Sequence, residues 1–104
     1  MKTLFIAVSA LGLMTASATA LADGQQTYQQ ACAACHGTGV ANSPKVGDKA
    51  AWKDRIAQGN DKLYEHAIKG FTGKGGVMPA KGGRVDLSDD VVKAAVDYMV
   101  SQSK

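Results

Sequence analysis

Cys32-Ala33-Ala34-Cys35-His36 sets two thiols and an imidazole within five consecutive positions. Two cysteines two residues apart at the end of a helix can both reach one planar cofactor, and a histidine directly after them can reach a metal at its centre. This is how haem is attached covalently: the thiols add to the two vinyl groups as thioethers, and the imidazole becomes the proximal iron ligand. Three other chemistries use the same residue types. Zinc needs four ligands, and beyond the motif only His66 remains among the cysteines and histidines. A thioredoxin-like dithiol belongs in a strand–helix context and has no need of the histidine. A local disulfide would leave the small core of this chain unexplained. Covalent haem accounts for every residue of the motif.

The other face of the iron takes a donor or stays open, and that choice separates electron carriers from haem enzymes and gas sensors. Met78 lies in a glycine-rich loop before Pro79, where glycine lets backbone pass close to a flat cofactor and proline stiffens the segment that presents the sulfur. A soft thioether suits iron that cycles between two oxidation states. Met99 falls on the apolar stripe of the last helix and reads as core. His66 falls away from the apolar face of its own helix and is expected to point to water. The duller alternative is a flexible loop whose methionine merely packs, which would leave the iron five-coordinate or bound by His66.

These residues need elements to position them. Of the 104 residues, the first 22 read as an export leader. Lys2 precedes the apolar run from Leu4 to Leu13, and Ala20-Leu21-Ala22 offers a small-residue cleavage site. The run is far shorter than the roughly 20 residues of a spanning helix. The remaining domain, residues 23–104, has 82 residues, too few for a large apolar core, so a buried cofactor is the natural staple. Without Lys2 the chain holds eleven basic and nine acidic side chains, a net of +2, which is no nucleic-acid footprint. The bases are concentrated in residues 44 to 84, nine against four acids.

Nothing in the domain alternates as a half-buried strand would, so it reads as all-helical. The spacing predicts a first helix over residues 24 to 35, with Tyr28, Ala31, Cys32 and Cys35 on one face, and a short turn near 52 to 58. A helix comes next, capped by Asp61 and stopped by Gly70, with Leu63, Tyr64, Ala67 and Ile68 inward. A last helix is capped by Ser88, with Asp89 and Asp90 at its positive end. Its stripe is Val91, Val92, Ala95, Val96 and Met99, opposite Lys93 and Asp97.

The chain resembles the class I c-type cytochromes, and among them the small bacterial cytochrome called c-five. The likeness rests on Gly39-Val40-Ala41, Pro44-Lys45, Gly47 to Trp52, Arg55 to Gly59, Met78-Pro79, Lys81-Gly82-Gly83, Ser88-Asp89-Asp90 and Lys93 to Val96. It departs where many members carry a second Cys-x-x-Cys pair, since Arg84 and Leu87 stand there, and the loop over Thr72 to Gly76 looks longer than usual. The resemblance implies three to five short helices wrapped around one covalently attached haem c, with the first and last helices crossing at Gly24 and Tyr28 packing near Tyr98. It implies that the carbonyl of Pro44 accepts the His36 ring proton, and that Trp52 and Arg55 partner the haem propionates. Without the resemblance those two residues read as a packing tryptophan and a solvated arginine.

With His36 and Met78 both on the iron, no substrate reaches it, and outer-sphere transfer of one electron is the reaction left. The expected function is a periplasmic electron carrier between redox partners of a respiratory chain, a monomer or weak dimer without a membrane span. Lys45, Lys49, Lys53, Lys69, Lys74 and Lys81 would steer an acidic partner. A haem enzyme or gas sensor with a displaceable sixth ligand is the alternative, weakened by the small size and by the lack of a distal acid–base pair.

Overall fold

The computed structural model describes residues 23–104, and the leader expected over residues 1–22 lies outside them. Among the described residues, four helices and one small hairpin surround a core of Trp52, Leu63, Ala67, Val92, Val96, Met99 and Val100.

The first helix, α1, is continuous over residues 24–36 but not uniform. An α-helical turn, Gly24–Thr27, is capped by the Asp23 carboxylate, which accepts the Gln26 N–H at 3.0 Å. A π-helical segment, Tyr28–Cys32, comes next, and Ala33 closes it by donating to the carbonyl of Tyr28, five residues back. Ala33–His36 then resumes the α-helix. Each inserted residue turns the rest of the helix by about 100° relative to a plain α-helix. The face predicted at α spacing is therefore rotated, leaving Cys32 and Cys35 half-buried and His36 buried.

Helix α2, Lys49–Ala57, stands where only a short turn was expected; Asp48 caps it through the Ala51 N–H, and Trp52 is its buried residue. Helix α3, Asn60–Lys69, starts one residue before Asp61, which sits in its first turn instead of at the cap. Gly59, at φ 94°, makes the break. Gly70 ends α3 as expected, its N–H donating to the His66 carbonyl at 2.9 Å. Helix α4, Asp89–Gln102, keeps to the expected plan: the Ser88 hydroxyl accepts from Val91, the stripe from Val92 to Met99 is buried with Val100, and Lys93 and Asp97 face water.

Helices α1 and α4 cross at Gly24, where a Cβ would lie 2.1 Å from the Ala94 carbonyl oxygen. Tyr28 and Tyr98 pack beside the crossing, ring centres 5.3 Å apart. One small hairpin accompanies the all-helical architecture. Phe71–Gly73 (β1) and Gly76–Met78 (β2) pair antiparallel, with Phe71 opposite Met78, Thr72 opposite Val77 and Gly73 opposite Gly76. Three-residue strands are too short to display alternation, and their glycines mask it.

Tyr64 of α3 donates its hydroxyl to Asp97 of α4. That bond, helped by partial burial, raises the phenol above its ordinary value of 10.0. A raised phenol adds stability that is complete below the ordinary value and is lost as pH climbs through the folded one. Tyr64→Phe is expected to cost about 0.5 kcal/mol at neutral pH, the low end for a hydrogen bond open to water. The deficit should close in alkali, as followed by urea unfolding at several pH values; a pH-independent deficit would assign the effect to packing.

Candidate haem site

All four helices and the hairpin line one cavity of about 440 Å³, within the size of a small-molecule site. From α1 come Cys32 and His36, from the loop after it Pro44, from α2 Trp52 and Arg55, and from the end of β2 Met78. Of the residues predicted for the site, only Cys35 lies off the cavity wall; it is half-buried on the next turn of α1.

His36 is 8% exposed. Its Nδ1–H donates to the Pro44 carbonyl at 2.8 Å, and because a carbonyl only accepts, Nε2 is left with a free lone pair. Burial pulls the imidazole below its ordinary 6.5, against a smaller upward pull from the Pro44 bond, so the ring is neutral at pH 7, the form that ligates metals. The loop that supplies Pro44 is fastened on three further points. Val46 N–H donates to the His36 carbonyl at 2.8 Å, the Trp52 indole N–H donates to the Lys45 carbonyl at 2.9 Å, and Gly47 N–H donates to the hydroxyl of buried Ser103 at 3.0 Å.

The Trp52 indole N–H donates to the Lys45 carbonyl, and the buried ring forms a wall of the cavity 6.0 Å from the His36 ring centre. Arg55 does border the cavity, exposed, with Nη1 donating to the Ala51 carbonyl of its own helix and its other N–H groups open. His66 was expected to face water and is instead half-buried on the cavity wall, its ring 4.4 Å from that of Phe71. The unforeseen hairpin folds Phe71 back onto it.

Burial, and then Cys35 nearby, pushes the Cys32 thiol up to about 11. A dithiol redox centre requires the opposite shift, and among the described residues no three His, Cys, Asp or Glu side chains converge as a metal site. Geometry therefore gives zinc no support, and the dithiol alternative lacks its strand–helix context, because Cys32 and Cys35 lie inside α1. A neutral histidine with an oriented free nitrogen, a thioether, two neighbouring thiols and mostly apolar walls are the donor set and lining that suit haem.

Sequence reasoning missed the backbone around the opening. Ala41 (φ 53°), Asn42 (φ 61°) and Lys81 (φ 53°), the non-glycine residues in the left-handed region among those described, all border the cavity. Such strain costs on the order of 1 kcal/mol or more per residue and gathers at functional sites. The hairpin lies against Val40–Asn42 so closely that a Cβ on Gly76 would be 2.7 Å from the Ala41 carbonyl oxygen.

The family model described as cytochrome c oxidase, cbb3-type, subunit III matches residues 19–99. Cytochrome c-555 of Chlorobaculum tepidum is 57% identical over 83 residues, covering 80% of this chain and 77% of that protein. Cytochrome c5 of Azotobacter vinelandii is 46% identical over 78 residues, covering 73% and 89%. Among solved structures, a chain of the crystal structure of an electron transfer complex of nitrite reductase with cytochrome c aligns at TM-score 0.69 and 41% identity, covering 78% of this chain and 94% of that one. The mono-haem ferrocytochrome c from Shewanella putrefaciens aligns at 0.64 and 37%, covering 81% and 98%. The attachment motif, the cavity it opens onto and these relatives agree: the chain belongs to the class I c-type cytochromes, small electron carriers with one covalently bound haem c.

Proposed function

We propose that residues 23–104 form a periplasmic one-electron shuttle of a respiratory chain, released from an export leader at residues 1–22. Cys32 and Cys35 would attach the haem, and His36 Nε2 and the Met78 sulfur would hold its iron. The observation that carries this reading is that one apolar cavity is bordered by both a histidine whose Nδ1 is spent on Pro44 and a methionine at the end of a strand. The bound haem iron supplies the one-electron couple.

The chain's own residues do the rest. Pro44 fixes the ring of His36 and makes Nε2 the donor. Met78 supplies a neutral thioether, which favours a higher potential than a second imidazole would. With His36 and Met78 both engaged, no substrate would gain access, and one-electron transfer through the exposed rim is the chemistry left. Arg55, exposed at the cavity with free N–H groups, neutralises a propionate.

The rim also suggests where partners meet it. Val77 (65% exposed) and Val40 (55% exposed) lie on the two segments that touch at Gly76 and Ala41, and Lys74 lies in the turn of the hairpin. An apolar contact edged by lysine suits a brief encounter with an acidic redox protein. A relative held in an electron transfer complex with nitrite reductase supports a protein partner of this kind. Among the described residues no helix is long and apolar enough to cross a membrane.

The test is stopped-flow oxidation of the ferrous holoprotein by an acidic redox protein over a range of salt. The rate should fall about tenfold or more as screening sets in, and Lys74→Glu should slow the low-salt rate. A rate indifferent to both would remove the acidic partner. Ready carbon monoxide binding by the unmodified ferrous protein would overturn the six-coordinate reading. Cell fractionation, with N-terminal sequencing expected to begin at Asp23, checks the compartment and the leader.

A further inference from the structure

Lys81 is an odd residue to find where it is. Its backbone is left-handed at φ 53°, its side chain is only 15% exposed, and it borders the haem cavity. The side chain runs to the start of α4, where helix dipoles disfavour a cation. There Nζ donates to the Leu87 carbonyl at 2.6 Å and pairs with the Asp89 carboxylate at 2.9 Å. Asp89 is held below the usual carboxylate range, first by the hydrogen bond from Lys81.

The segment that carries Lys81 continues directly from Met78-Pro79. It is a tight 3-10 stretch, Ala80–Gly83, in which Gly82 N–H returns to the Pro79 carbonyl at 3.1 Å. On its other side Gly82, at φ 63°, lies so close to α1 that a Cβ would be 2.4 Å from the Ala31 carbonyl oxygen, one residue before Cys32. The methionine segment is thus pressed on α1 at Gly82 and tied to the start of α4 by the residue before it, Lys81.

We propose that Lys81 is a positioning residue that latches the Met78 segment to α4, and that the balance between its charge and that of Asp89 biases the reduction potential of the bound haem. The proposal rests on Met78 being the sixth ligand. A cation beside the site disfavours the more positive ferric state and an anion favours it, so the two partners act with opposite sign on the potential while acting together as a latch.

Three variants of the holoprotein and one control test this. In Lys81→Met and Asp89→Asn the methionine-to-iron charge-transfer band should be lost on heating below the temperature at which far-ultraviolet circular dichroism reports unfolding, with the opening constant raised roughly tenfold. In the unmodified protein the two transitions should lie closer together. The potential should fall in Lys81→Met and rise in Asp89→Asn. Lys81→Arg should restore both band and potential. Asp90→Asn, in the same first turn of α4 but without a bond to Lys81, controls for the helix dipole. Potentials that move in one direction in both variants, or bands lost only with global unfolding, would overturn the proposal. Should Lys81→Met fail to accumulate, Asp89→Asn still decides, because that side chain is 61% exposed and its removal leaves the Ser88 cap in place. Absence of the band in the unmodified protein would instead refute the ligand assignment itself.

Discussion

Met78→Ala should abolish the methionine-to-iron charge-transfer band and open the ferrous protein to carbon monoxide. The side chain is half-buried at the end of β2, packed against the core and bordering the cavity with His36. Removing its sulfur leaves the His36 side unchanged, because Pro44, Val46 and Gly47 brace that side independently. The potential should drop by an appreciable part of the roughly 0.8 V that axial ligands command. The stability loss should be near the low end for a core methionine, about 2 kcal/mol, since Met78 is only partly covered. His66 is the rival donor on the same wall. If it moves in, the single variant will show a low-spin spectrum without the band, and adding His66→Ala will convert that spectrum to an open one. A band that survives in Met78→Ala would end the assignment.

The largest effect on folding is expected at Gly24. A Cβ there would sit 2.1 Å from the Ala94 carbonyl oxygen and 3.2 Å from the Tyr98 Cβ, a backbone clash that no rotamer relieves. Helix propensity alone predicts the reverse, because alanine is favoured over glycine inside a helix by about 1 kcal/mol. Parting α1 from α4 by more than an ångström also loosens Tyr28 against Tyr98. Gly24→Ala should therefore destabilise by about 3 kcal/mol, the upper part of the range for overpacking. A domain of this size holds only about 4–12 kcal/mol in all. Guanidinium unfolding of the holoprotein reads the loss directly. A neutral or stabilising substitution would mean that the helices do not cross at this residue.

Legibility from sequence tracked physical regularity. The haem motif was readable because its chemistry is confined to five adjacent residues, and α4 because its apolar stripe keeps one period between an evident cap and the end. Helix α2 was underestimated for the opposite reason: Lys49, Ala50, Lys53, Asp54 and Arg55 are all exposed, so a single buried tryptophan gave no period to detect. The π segment in α1 has no residue signature, since it depends on one carbonyl at Tyr28 choosing the fifth residue onward. His66 was misplaced by its partner, not by its own type. Phe71 reaches His66 only through a hairpin hidden in glycines.

The hydroxyl of Ser103 meets the amide of Gly47 across 56 positions of chain, and Gly24 meets Ala94 across a still longer interval. Contacts of such separation raise the mean sequence separation of the fold, which slows folding as a whole. By the same contacts the C-terminal end of α4 is tied to the loop that braces His36, while the start of α1 is pressed on the same helix, so the histidine is held by both ends of the domain at once.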